Sequence, residues 1–125
     1  VYRRRYRASH DRLTAEIDAE SIVRPWDKGV YRGATAPGCP SVRNNGRIAL
    51  TRRRLVFLTL TGTTITIPLD QITGLGQSKV FKAGVAGGWT HLVVHTAGGD
   101  VGFFVPDLAA WLSALGQAAG LAPDR

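Results

Sequence analysis

What most constrains this chain is its punctuation. Between residues 29 and 105 it is cut into short apolar or alternating runs by glycine, proline, asparagine and charged pairs. Runs this short, closely spaced and bounded by turn residues read as strands joined by hairpins. Seven are legible: 29–35, 47–51, 54–61, 63–68, 72–80, 90–97 and 100–105. In the fourth, Ile65, Ile67 and Leu69 alternate with Thr64, Thr66 and Pro68, the pattern of a half-buried strand. Gly74 and Gly76 loosen the fifth, Thr61-Gly62 and Gly98-Gly99 mark turns, and 36–46 and 83–88 read as loops. After Pro106 the period changes. Leu108, Trp111, Leu112 and Leu115 fall at i, i+3, i+4 and i+7, with Asp107 placed as N-cap and Gly120 as the C-terminal stop.

An antiparallel meander has two edges and must curl or be covered. The terminal helix is the sizeable apolar surface left to cover it, with Trp111 as the plug of an open barrel end. Upstream, residues 11–22 have helix-forming composition, with Leu13 and Ile17 at i, i+4, and Pro25 as the expected stop. Residues 1–12 read as a basic lead-in. This divides the chain into 1–24, a lead-in with a short helix, and 25–122, the β domain.

At 125 residues and 44% hydrophobic, the chain suits one core. Cys39 is the lone cysteine, so no disulfide framework is available. No apolar run reaches the ~20 residues that span a bilayer. The sequence begins at Val1 and contains no Met, which reads as a piece of a longer protein. The formal charge is +7, which favours an anionic partner. Much of it is concentrated at the start, where Arg3, Arg4, Arg5, Arg7 and Arg12 face only Asp11.

The stretch GRIALTRRRLVFL, then TITIPLDQITGL, HLVVHTAGGDVGFFV and DLAAWLSAL, resembles bacterial pleckstrin-homology-like (PH-like) domains, close to the GRAM branch. Gly46, Thr51, Arg54, Leu55, Phe57, Pro68, Leu69 and Ile72 match its pattern, and the likeness covers about residues 28–119. The resemblance implies a mainly β fold: a seven-stranded antiparallel barrel or sandwich capped by one C-terminal amphipathic helix, here with a short N-terminal helical extension. It also implies binding of anionic lipid or a protein partner, with basic residues around the first-strand loop. Lys28, Arg32, Arg43 and Arg47 occupy that region but are spread in sequence. Arg52 and Arg53, beside Arg54, belong to the next turn and are expected at the other end of the barrel.

Arg3, Arg4, Arg5 and Arg7, with Tyr2 and Tyr6 among them, read as a juxtamembrane segment contacting anionic lipid on the cytoplasmic side. That points to a transmembrane anchor upstream of Val1. His91 and His95 lie on one strand face about 13 Å apart, too far to share a metal. Cys39 lacks a specified base, and AGVAGG lacks the setting of a phosphate loop. Trp26, Tyr31 and Trp89 read as packing residues in preference to base-stacking ones. No catalytic set, metal or cofactor is expected, and nucleic acid is the disfavoured partner. The expectation is a non-catalytic module at the cytoplasmic side of a bacterial membrane, or alternatively a protein-interaction scaffold using a sheet edge or the groove beside the helix.

Overall fold

A computed structural model describes residues 2–40, 43–81, 84–85 and 90–121. The chain opens with a helix, α1 (Tyr2–Ala19), followed by β1 (Ile22–Ala34), β2 (Asn44–Thr51), β3 (Arg54–Thr59), β4 (Thr64–Pro68), β5 (Ile72–Ser78), β6 (Val80–Phe81), β7 (Gly84–Val85), β8 (His91–Thr96), β9 (Gly99–Phe104) and α2 (Leu108–Ala118). Seven strands form one antiparallel sheet in the order β4-β3-β2-β1-β9-β8-β5, and β6 pairs with β7 alone. The seven strands are those expected. The loop expected at 83–88 lies mostly outside the described residues, apart from β7 at 84–85.

Two expectations are corrected. The sheet is not closed into a barrel: β4 and β5 are its two edges, joined by a 3-10 turn at Leu69–Gln71. Pro68 ends β4 and has no N–H to extend a ladder. Leu69 and Ile72 turn inward at the gap and are buried, and the Leu69 N–H donates to the Arg53 carbonyl at 2.9 Å. The second correction concerns the N-terminus. The basic lead-in and the short helix are one 18-residue helix. It stops at Ala19, well before Pro25, and Ser21 at φ 67° turns the chain into β1. Pro25 lies within β1, in the irregular register between Arg24 and Asp27, where a strand tolerates a missing donor. The strand system therefore begins at Ile22, upstream of residue 25.

The two faces of the sheet have separate cores. The inner one gathers Tyr31, Ile48, Leu50, Leu55, Phe57, Leu92, Phe103, Trp111 and Leu115. Tyr31, Phe57 and Phe103 stack about one another with ring centroids 5.6–6.1 Å apart. Trp111 is fully buried; its Nε1–H points to Asp27 at 3.4 Å, and the Arg24 guanidinium lies 4.7 Å over its ring. Asp107 caps α2 by accepting from Ala110 N, and Gly120 at φ 70° closes it, with Gly120 N–H on Gln117 and Leu121 N–H on Gly116. On the outer face, Leu13 and Ile17 of α1 pack on Ala49, Val56 and Leu58, with Tyr6 and Trp26 at the margin.

Candidate anion-binding face

The cations that look scattered in sequence are aligned by the β1–β2 hairpin. Lys28 stands opposite Arg47 in the ladder, and Val30 opposite Asn45. Alternation continues to Arg32 on one strand and to Arg43 just before the other. The same alternation sends Tyr31 and Ile48 to the inner core, so Lys28, Arg32, Arg43 and Arg47 share the outer face. Arg43 lies close enough to Arg32 to lower its pKa, after the larger lowering by burial. Like charges set opposite one another weaken a sheet. None of the four has an acidic partner among the described residues.

Arg32 is held by its neighbours. Its guanidinium lies 4.6 Å over the Phe104 ring, and its Nε donates to His91 Nε2 at 3.3 Å. Arginine only donates, so His91 Nε2 accepts, and the His91 Nδ1–H donates to the Ser78 carbonyl at 3.0 Å. His91 is fully buried and 4.4 Å from Phe104. Burial lowers its pKa, Arg32 lowers it further, and the Ser78 carbonyl opposes both.

The N-terminal arginines are all exposed on α1. Arg3, Arg7, His10 and Thr14 follow at i, i+4, i+7 and i+11, one flank of the helix. That flank is docked on β1: Trp26 Nε1 donates to Thr14 Oγ1 at 2.9 Å, and the His10 ring lies 5.3 Å from Trp26. Arg5 belongs to the other flank, its Cβ 3.3 Å from where a Cβ on Gly62 would stand at the β3–β4 turn. By the helical period Arg4 falls on neither flank.

Arg52 and Arg53 are exposed on the β2–β3 turn, where Arg52 N–H donates to the Ser21 carbonyl at 3.1 Å. They sit at the C-terminal end of α1, away from its basic turns. Thr51 Oγ1 organises the turn by accepting from Arg53 N and Arg54 N at 3.0 and 3.1 Å. Arg54 is engaged inward: its Nε and Nη2 reach the two carboxylate oxygens of Glu20 at 3.0 and 2.9 Å. Sequence reasoning missed Glu20, because nothing in spacing predicts a helix C-terminus landing beside a hairpin 34 residues on.

Elsewhere, His95 bonds Asp100 across the β8–β9 hairpin at 2.7 Å. The Tyr31 hydroxyl donates to the Pro40 carbonyl, and burial pushes its pKa up to about 12, with Cys39 adding a smaller rise. Trp89 lies outside the described residues. Among the described residues no cluster of His, Cys, Asp and Glu could hold a metal, and no helix is long and apolar enough to cross a membrane. A groove of about 770 Å³ separates edge strand β5 from α2, lined by Leu75, Gln77, Leu112 and Gly116 among others, with no charged residue.

No family model matches the sequence, and no curated protein matches it. Among solved structures the fold is similar to the C-terminal domain of an unknown protein from Leishmania infantum, with TM-score 0.59 and 19% identity over 84% of this chain and 89% of that one. That likeness shows the fold alone. The chain is a mostly antiparallel, open seven-stranded sheet with a helix at each end.

Proposed function

We propose that this domain is a non-catalytic PH-like module that contacts anionic lipid at the cytoplasmic face of a bacterial membrane. The observation that supports it is the β1–β2 ladder of Lys28, Arg47, Arg32 and Arg43. A sheet that aligns four cations with no ion-pair partner among the described residues is weaker for it in isolation, and an anionic surface relieves the repulsion. Each cation near an anionic leaflet contributes about 1 kcal/mol, and the effect fades beyond a Debye length of roughly 8 Å. The PH-like assignment draws support from the strand count, the terminal helix and the structural roles of Gly46, Thr51, Phe57 and Leu69.

Co-sedimentation with vesicles tests this reading. The protein should pellet with phosphatidylcholine vesicles containing phosphatidylglycerol, should not pellet with phosphatidylcholine alone, and should be released by high salt. Lys28→Ala with Arg47→Ala should lower partition about thirtyfold, at about 1 kcal/mol per cation. Equal binding to both vesicle types would reject the reading.

A second reading rests on the groove beside β5. Among the described residues β5 pairs only with β8, so its other edge is open toward α2. An extended, uncharged segment of a protein partner could add there as a further strand. Such pairing uses main-chain hydrogen bonds and would be indifferent to salt and to the basic ladder.

A further inference from the structure

Arg3 and Arg7 are separated from the β1–β2 cations by more than twenty residues, yet the docking of α1 sets them over the same part of the sheet. The helix runs antiparallel to β1. Near its C-terminal end, Glu20 meets Thr51 and Arg54; in the middle, His10 and Thr14 meet Trp26; near its start, Arg5 lies at Gly62. Gly62 belongs to the turn whose Leu60 N–H donates to the Asn45 carbonyl at 2.9 Å, and Asn45 stands opposite Val30. The first turns of α1 are therefore level with the Val30–Asn45 row, between the two cation pairs. Arg3 and Arg7 lie two residues either side of Arg5, about 3 Å along the axis each way. They belong to the flank that docks on Trp26, facing across β2 toward β1.

We infer that α1 and the β1–β2 hairpin together form one phosphate-binding trough for anionic lipid headgroups, with Arg3 and Arg7 along its wall and Lys28, Arg47, Arg32 and Arg43 on its floor. The inference rests on the lipid reading above and names the site within it. The helix stands roughly 10 Å proud of the sheet with its side chains, so a headgroup reaches the floor by entering beside it. Rows Lys28–Arg47 and Arg32–Arg43 are about 13 Å apart along the strands, which leaves room for two neighbouring headgroup phosphates. Glu16 of α1 and Glu20 just beyond it turn to Arg54 near the opposite end, while Asp11, one turn after Arg7, lies 3.9 Å from His10. On the sheet's outer face, Asp100 is bonded to His95.

Lipid is favoured over nucleic acid because the rings along the trough are already engaged. Trp26 is stacked by His10 and bonded to Thr14, and Phe104 is covered by Arg32 and packed against His91. A single-stranded reader needs open rings on which bases stack.

Two charge-matched double variants test the trough. Arg3→Ala/Arg7→Ala removes the wall, while Arg4→Ala/Arg5→Ala removes the same charge from the same two turns but from other faces. Both pairs are exposed, so matched melting temperatures confirm that α1 stays docked. With phosphatidylglycerol-containing vesicles, the first pair should lose about thirtyfold in partition, as Lys28→Ala/Arg47→Ala should, and the second less than about threefold. Equal losses from the two N-terminal pairs would overturn the trough in favour of diffuse attraction, while leaving the lipid reading standing. Failure of the unaltered protein to bind these vesicles would reject the lipid reading itself. A single-stranded oligonucleotide binding more tightly than the vesicles, with the same ranking of variants, would overturn the lipid assignment. Inorganic pyrophosphate binding as tightly as the vesicles would overturn it in favour of a soluble phosphate.

Discussion

Gly46 shows at the scale of one residue why a motif position is needed. It pairs with Gly29 across β1–β2, and the Phe57 ring lies against both. A Cβ on Gly46 would stand 2.0 Å from the Leu58 carbonyl oxygen and 2.8 Å from Phe57 Cε1. Backbone on the neighbouring strand cannot yield as a side-chain tip can. Gly46→Ala should therefore cost at least about 3 kcal/mol, at the high end for a single substitution, read as a lowered midpoint in urea denaturation. Gly29→Ala should cost less, since the contacts at 3.1–3.3 Å are tight but not overlapping. The position was visible in sequence as part of the resemblance. Its reason, the close approach of the Leu58 backbone and the Phe57 ring, is tertiary and has no sequence signature.

At the scale of elements, α1 is the instructive case. Helical periodicity was legible only from Leu13 onward, because the first ten residues carry only half-buried ring contacts, Tyr6 on His10 and His10 on Trp26. Arginine and alanine have high helix propensity and no Gly or Pro occurs before Pro25, so the helix extends to Tyr2 once Leu13 and Ile17 anchor it. Those two side chains are 2% and 0% exposed. Leu13→Ala should cost about 2–5 kcal/mol. Because α1 also covers Val56 and Leu58, the variant should bind a hydrophobic dye and shift Trp26 fluorescence to the red before the sheet melts. Simultaneous loss of all signals would instead show that helix and sheet unfold as one unit. The terminal helix was easier to read, since its cap, apolar stripe and glycine stop are all local.

Across the whole molecule, cations sit at both ends of α1, but ion pairs with carboxylates hold Arg54 only at its C-terminal end, where Arg52 and Arg53 stay exposed. Cations gather at its start and over the β1–β2 outer face, while Glu16 and Glu20 pair with Arg54 at the other end. Beneath the far side of the cationic face lies His91, whose acceptor role toward Arg32 requires the neutral ring. Its folded pKa is below the ordinary 6.5. The unfolded chain thus binds the proton more readily, and stability is fully present above about pH 6.5 and declines as pH falls through that value toward the folded pKa. Melting temperature should therefore drop on mild acidification in a range where carboxylates are still ionised. His91→Asn should flatten that slope; an unchanged slope would assign it to other groups.

Local chemistry determined the strand sequence, the hairpins and the capped terminal helix, because alternation, turn residues and N-cap carboxylates act between near neighbours. The basic character and its two clusters were also legible. Tertiary structure alone decided that the sheet stays open at β4 and β5, that α1 lies on the outer face, and that Arg54 is tied to Glu20 while Lys28, Arg32, Arg43 and Arg47 line up. These depend on strand register and on which faces meet after distant segments pack, and contacts between residues far apart in the chain leave no periodic trace in it.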